Sequence, residues 1–193
     1  MSRATAPRKT KTGTLRVIGG RWRGRKIDFP DVPGLRPTPD RARETLFNWL
    51  QKEVDGARCL DLFSGSGALG FEAASRGAAE VILVDRDSRV CEYLKQQSAT
   101  LGATQIQVVQ SDARACLETL NAPFDIVFLD PPFGDSPLAA ICAALAELNL
   151  LKPGGKVYLE AHAGCDVPDL PPGWAFVRSK RAGQVSYHLL ESA

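Results

Sequence analysis

The chain has 193 residues, of which 44% are hydrophobic and 24% charged, the make-up of one globular domain with at most a small appendage. No apolar run approaches the roughly 18 residues that a membrane helix needs, and the polar, basic Met1–Thr14 stretch lacks the apolar core of a secretory signal. The net charge of +2 conceals a division: residues 1–43 carry 12 Lys and Arg against 3 Asp and Glu, and residues 44–193 carry 12 against 19, so a basic segment on an acidic body points to a polyanion such as nucleic acid.

In chain order, residues 1–13 read as a disordered basic tail. Thr14–Gly19 and Gly24–Phe29 read as two short strands, with Arg21, Trp22 and Arg23 at the tip of a β-hairpin. Arg25 and Lys26 extend its basic character. Pro30–Pro37 is a loop, Thr38 a helix N-cap and Pro39 a first helical residue. The helix to about Lys52 places Ala42, Leu46, Trp49 and Leu50 on one face. Arg36, Thr38, Arg41 and Arg43 would line a route from the hairpin to a pocket; Arg side chains here could instead pair with Asp40 or Glu44. Trp22 could stack on a base or pack against the 39–52 helix.

From Arg58 strand and helix alternate. Strands are expected at 58–63, 80–84, 105–109, 124–129 and 156–160, and helices at 68–76, 88–100, 112–121 and 137–149. These strands are nearly continuous apolar runs, as parallel strands covered on both faces should be. Two further strands near 174–180 and 184–190 flank Ala182-Gly183 as a terminal hairpin. The five cysteines, Cys59, Cys91, Cys116, Cys142 and Cys165, are scattered without C-x-x-C spacing, and there are two histidines. Neither a disulfide framework nor a metal site is expected, and reduced thiols fit a cytoplasmic setting.

Between the first parallel strand and its helix lies Asp61-Leu62-Phe63-Ser64-Gly65-Ser66-Gly67-Ala68-Leu69-Gly70. Gly65, Gly67 and Gly70 satisfy G-x-G-x-x-G, which alone suggests a dinucleotide. Asp61, four residues before the first glycine, would repel a pyrophosphate and suits a ligand bearing an ammonium or sulfonium group. Asp85 ends the second strand 20 residues after Gly65, where a carboxylate can accept from both ribose hydroxyls. Asp112 follows the third strand, able to accept from an adenine amine, to cap a helix, or both.

Asp130-Pro131-Pro132-Phe133 follows the apolar run Ile126–Leu129. The Asp130 carboxylate and the Pro131 carbonyl would accept hydrogens from an exocyclic amine, and Phe133 would stack on the base that carries it. No cysteine accompanies this motif, which excludes covalent attack on a pyrimidine ring carbon.

The motifs at 61–67, 85, 112 and 130–133 resemble those of class I S-adenosylmethionine-dependent methyltransferases. Arg16-Val17-Ile18-Gly19-Gly20-Arg21-Trp22-Arg23-Gly24-Arg25, the segment Leu35–Asn48 and Gly183–Tyr187 are similar to bacterial 16S ribosomal RNA guanine-N2 methyltransferases of the RsmD type, over roughly Thr14 to Leu190. The resemblance implies an α/β, Rossmann-like fold: a seven-stranded, mostly parallel sheet with helices on both faces, its last strand antiparallel, preceded by an N-terminal β-hairpin extension. It divides the chain into the tail 1–13, an RNA-binding extension 14–37 and a methyltransferase domain 38–193. It implies S-adenosylmethionine held by Asp61, Phe63, Gly65, Gly67, Asp85, Arg86, Asp112 and Ala113. Asp130, Pro131, Pro132 and Phe133 become catalytic. Arg21, Trp22, Arg23, Arg25, Lys26, Arg36, Thr38, Arg41 and Arg43 become RNA contacts, and the enzyme a monomer acting on 16S ribosomal RNA of the small subunit. Amino-methylation of adenine or cytosine, a nicotinamide oxidoreductase and a non-catalytic RNA-binding module are the competing readings.

Overall fold

The computed structural model describes residues 12–30, 32, 38–132, 138–162 and 169–193. Nearly all of the basic tail, most of the Pro30–Pro37 loop, Arg36, Phe133 and Cys165 lie outside the described residues.

The strands β1 (Thr12–Arg16) and β2 (Lys26–Pro30) pair antiparallel, with Thr14 opposite Asp28 and Arg16 opposite Lys26. A 3-10 turn at Gly20–Trp22 lies between them. The ladder is shorter at this end than the sequence predicts. The Ile18 and Gly19 N–H groups donate to the Glu72 carboxylate at 2.8 Å each, so they leave the strand pairing.

Helix α1 (Asp40–Trp49) starts one residue later than expected, with Pro39 at the N-cap. Thr38 does not cap it; its hydroxyl donates instead to Asp130 at 3.0 Å. The buried face holds Ala42, Arg43, Leu46 and Phe47, while Trp49 is half-buried. The expected face is thus kept, with Leu50 buried just beyond the helix, and Phe47 and Arg43 widen it, the Arg43 guanidinium donating to the Arg16 carbonyl at 2.8 Å and tying α1 to the hairpin.

The alternation predicted from Arg58 onward then unfolds as β3 (Arg58–Asp61), α2 (Ala68–Ser75), β4 (Glu80–Asp85), α3 (Ser88–Leu101), β5 (Ile106–Gln110), α4 (Ala113–Leu117), β6 (Phe124–Leu129), α5 (Leu138–Glu147), β7 (Leu151–His162), β8 (Ala175–Ala182) and β9 (Val185–Glu191). Among the described residues the sheet has seven strands in the order β5-β4-β3-β6-β7-β9-β8. The strands β5, β4, β3, β6 and β7 pair in parallel, and β9 runs antiparallel between β7 and β8. Helix α4 is half its expected length because Thr119 and Leu120 bond three residues back, to Cys116 and Leu117, which tightens the chain out of the helix.

Strand parity sorts the core into two layers. Cys59, Val81, Leu83, Ile126, Phe128 and Tyr158 pack with α1, α2, α3 and the hairpin. Leu60, Ile82, Val84, Val127, Leu129 and Leu159 pack with α4 and α5 on the other face. Helix α2 is buried on every side, since the sheet covers one flank and the hairpin the other. That accounts for its nearly all-apolar sequence, and burial of a side chain such as Phe71 contributes roughly 1.5–3 kcal/mol.

Candidate active site at the carboxyl edge of the sheet

Each parallel strand delivers an acidic side chain at or just beyond its carboxyl end. In sheet order these are Asp112 after β5, Asp85 on β4, Asp61 on β3, Asp130 after β6 and Glu160 on β7. The chain order reverses direction between β3 and β6, and ligands of open α/β sheets collect outside such a switch point. Parity adds a second constraint. Asp61 shares a face with Cys59, Asp85 with Val81 and Leu83, Asp130 with Ile126 and Phe128, and Glu160 with Tyr158. Four carboxyl groups therefore share the face covered by α1, α2 and the hairpin.

The loop after β3 is built by its glycines. Gly67 caps α2 in the left-handed region at φ 75°, and a Cβ there would lie 2.5 Å from the Phe71 ring. Gly70 lets α2 press on the sheet, since a Cβ would meet the Leu83 side chain at 2.1 Å. Ser64 secures the turn by donating to the Asp61 carbonyl at 2.8 Å. Asp61 is 1% exposed. Its carboxylate lies beneath the loop, accepting from Gly70 N–H at 3.1 Å and from the Phe63 backbone. Burial, then the charge of Asp130, pushes its carboxyl up to about 8 against the opposing hydrogen bond from Gly70, with Asp85 adding to the rise. A first-turn N–H of α2, where a pyrophosphate would dock, is thus already taken by an acid. This geometry disfavours the dinucleotide reading of the glycine spacing.

Asp85 is half-buried and accepts from Gly65 N–H at 3.0 Å and Asp87 N–H at 2.9 Å. A carboxylate has about four lone-pair sites, so Asp85 retains capacity for hydroxyl donors. Asp112 caps α4 through one oxygen, which accepts from Arg114 and Ala115 N–H, leaving its second oxygen exposed to a ligand. Ala113 is buried beside it, Phe63 is half-buried, and Arg86 is exposed.

Asp130 is half-buried and Pro131 buried, whereas Pro132 is exposed. Burial raises the Asp130 carboxyl above its usual range, opposed by hydrogen bonds from Thr38 and Glu160. Glu160 is a site residue that motif reading misses. It ends the apolar run Val157-Tyr158-Leu159, and that position, matched against Asp130 at the end of the neighbouring run, was the available signal.

The candidate RNA residues divide. Arg21, Arg23, Arg25, Lys26 and Arg41 are exposed. Trp22 is 6% exposed and its backbone N–H donates to Ser75 Oγ at 2.9 Å. Arg43 is 1% exposed, bonded to Asp40 at 2.6 Å and facing Glu72 at 3.6 Å. Burial removes both from the candidate RNA face, because neither an enclosed ring nor an enclosed guanidinium can reach a nucleotide. Thr38, 7% exposed and committed to Asp130, joins the pocket instead. The hairpin tip packs against the carboxyl-terminal end of α2, since Ser75 also donates to the Gly19 carbonyl at 2.6 Å. An eight-residue helix is roughly 12 Å long, so the tip stands about that far below the acidic edge. At the edge of the sheet β8 exposes Arg178, Lys180 and Arg181, cations that the sequence reading did not single out, and Lys180 reaches Thr45 of α1 at 3.3 Å.

Residues 15–191 match the family model described as Conserved hypothetical protein 95. The chain is 45% identical over 185 residues to the ribosomal RNA small subunit methyltransferase D of Escherichia coli strain K12, covering 96% of this chain and 93% of that protein. It is 42% identical to the protein of the same name from Haemophilus influenzae, over 93% of this chain and 95% of the relative. The solved structure of the putative methyltransferase yhhF from Escherichia coli superposes with a TM-score of 0.87 at 42% identity, covering 93% of this chain and 98% of that one.

Proposed function

We propose, for a chain that belongs to the Conserved hypothetical protein 95 family of small-subunit ribosomal RNA methyltransferases, methylation of the exocyclic N2 of one guanine in 16S ribosomal RNA. The observation that carries this reading is the placement of Asp130 and Pro131, just past the end of β6, beside Asp61, at the end of β3, where the two strands pair directly at the switch point. An acceptor pair for an aromatic amine thereby adjoins a glycine loop underlain by the buried Asp61 carboxyl group.

S-adenosylmethionine, when bound, supplies an electrophilic methyl group on a sulfonium. The donor set suits it: the spare lone pairs of Asp85 for ribose hydroxyls, the free oxygen of Asp112 for the adenine amine, and the buried Asp61 carboxyl, whose proton a cationic amino acid moiety would displace. Phe63, Gly65, Gly67, Arg86 and Ala113 would complete its walls. Asp130 accepts from one hydrogen of the guanine amine and the Pro131 carbonyl accepts from the other, which fixes the nitrogen lone pair toward the methyl group. As positive charge grows on that nitrogen, both acceptors stabilise it. Phe133 would stack on the extruded base. No covalent nucleophile is required, and positioning of two bound reactants contributes up to roughly 7–11 kcal/mol in favourable cases. Residues 14–37 serve as the RNA-binding extension, with Arg21, Arg23, Arg25, Lys26 and Arg41 on phosphates. The domain acts as a monomer.

The test is incubation of the purified protein with methyl-labelled S-adenosylmethionine and small ribosomal subunits from cells lacking this gene, with the label mapped by mass spectrometry. Label on N2 of a single guanine is expected. Asp130→Ala should lower turnover about 100-fold or more while cofactor affinity stays within about two-fold. Label on another base, or full activity in that variant, overturns the reading.

A further inference from the structure

Glu160 has no part in the motifs that define the site, yet it lies at the carboxyl edge of the sheet beside Asp130. Leu129 pairs with Leu159 across β6 and β7, so Asp130 and Glu160 stand side by side where the two strands end, on the same face. Glu160 is only 7% exposed. The phenol of Tyr158, itself fully buried, donates to Glu160 Oε2 at 3.2 Å. The Glu160 and Asp130 side chains are hydrogen-bonding neighbours. Thr38 approaches Asp130 from before α1. Tyr187 pairs with Glu160 from β9, and Asp61 faces Asp130 from β3, with Asp85 beyond it. No described cation belongs to this set of neighbours.

Two adjacent carboxylates cannot both ionise cheaply in a partly desolvated site. We propose that Glu160 is a positioning residue for the methyl transfer: its carboxyl group and Asp130 share one proton, and with Thr38 it holds Asp130 as an oriented anion facing the substrate amine. Tyr158, Glu160 and Asp130 then form a directed chain of donors, phenol to carboxyl to carboxylate. The mouth carries one negative charge from the pair. Burial, and after it the charge of Asp130, raises the Glu160 carboxyl well above its usual range, which keeps the proton on the deeper residue at neutral pH. Above neutrality that proton leaves, Asp130 loses a donor, and the repelled carboxylates no longer hold the geometry. The role rests on the amino-methylation reading given above; the shared proton does not.

Two measurements test it. Turnover on the labelled-subunit assay, at saturating cofactor, is followed against pH for the wild type, Glu160→Ala and Glu160→Gln. Glu160→Ala should lower kcat about ten-fold, the loss of one hydrogen bond to a charged group, with the KM for cofactor unchanged. Glu160→Gln keeps a donor toward Asp130 and an acceptor for Tyr158, so it should restore most of that loss and remove the alkaline decline seen in the wild type. An unchanged kcat in Glu160→Ala, or the same alkaline decline in Glu160→Gln, overturns the positioning role. Independently, the infrared difference spectrum between the wild type and Glu160→Gln near neutral pH, in which the Asp61 carboxyl contributes equally and cancels, should contain a protonated-carboxyl stretch from the wild type, with both proteins folded by circular dichroism. Absence of that band from the difference overturns the shared proton even on a protein that methylates nothing. Absence of transfer by the wild type would instead count against the amino-methylation reading.

Discussion

The carboxyl group of Asp61 lies under its own loop, held by Gly70 and Phe63 N–H groups, and burial keeps its proton to about pH 8. The consequence for stability has a definite sign. The folded state raises this group from an ordinary value of 3.8, so folding takes up a proton as pH rises past that value. Its contribution is complete below about pH 4 and is lost as pH climbs through about 8. Asp61→Asn keeps an acceptor for Gly70 and cannot ionise. Between about pH 6 and about pH 9 the thermal midpoint of the wild type should therefore fall further than that of Asp61→Asn. Glu160 is raised for the same first cause, so the variant should retain part of the decline. Equal declines in the two proteins would mean that Asp61 is already ionised at neutral pH. Thr38 carries a related lesson. Its sequence position is that of an N-cap, and its hydroxyl goes instead to the acid at the pocket. A local preference worth about 1 kcal/mol gives way to a half-buried carboxylate that needs a donor.

The hairpin and α2 are joined by one carboxylate. Glu72, the acid of α2, has a side chain with 0% exposure. It accepts from Ile18 and Gly19 N–H at 2.8 Å, from Arg76 Nε at 2.7 Å, and faces the buried Arg43 at 3.6 Å. Removing one partner of a buried, hydrogen-bonded ion pair typically costs about 3–5 kcal/mol. Glu72→Ala should lose that order of stability in chemical denaturation, and Glu72→Gln, which retains one acceptor, distinctly less. Ile18 and Gly19 amides should lose hydrogen-exchange protection ahead of the sheet in both variants; a loss below about 1 kcal/mol in Glu72→Ala would show the hairpin to be held instead by apolar packing and the Ser75 hydrogen bonds. The parallel strands and the glycine loop were legible in the sequence, because both-face burial writes continuous apolar runs and close helix approach demands Gly70. Arg43, Trp22 and Glu160 were not. Each is a polar or amphipathic residue whose place depends on a segment distant in sequence: Arg43 on Glu72, Trp22 on Ser75, Glu160 on Asp130. Periodicity within one element contains no term for such partners.

The whole molecule faces an electrostatic conflict. Its ligand edge gathers Asp112, Asp85, Asp61, Asp130 and Glu160, and its proposed substrate is a polyanion. A cationic cofactor fits that edge, but RNA phosphates do not, so attraction has to come from cations elsewhere on the surface. Arg21, Arg23, Arg25 and Lys26 on the hairpin and Arg41 on α1 are exposed, and they belong to the first 43 residues, which carry 12 basic against 3 acidic side chains. The tip stands about one α2 length, roughly 12 Å, below the acidic edge. That offset lets a strand lay phosphates on the hairpin while a flipped guanine reaches Asp130. Phosphate contacts of this kind release counterions, and each contributes roughly 0.7–0.9 to the slope of log affinity against log salt. Replacing Arg21 and Arg23 together by Glu should weaken binding to small-subunit RNA and lower the magnitude of that slope by about 1.5, with the calorimetric affinity for S-adenosylmethionine unchanged. A slope equal to that of the wild type would remove the hairpin tip from the RNA path and leave Arg41, with the exposed cations of β8, as the surface on which the phosphates run.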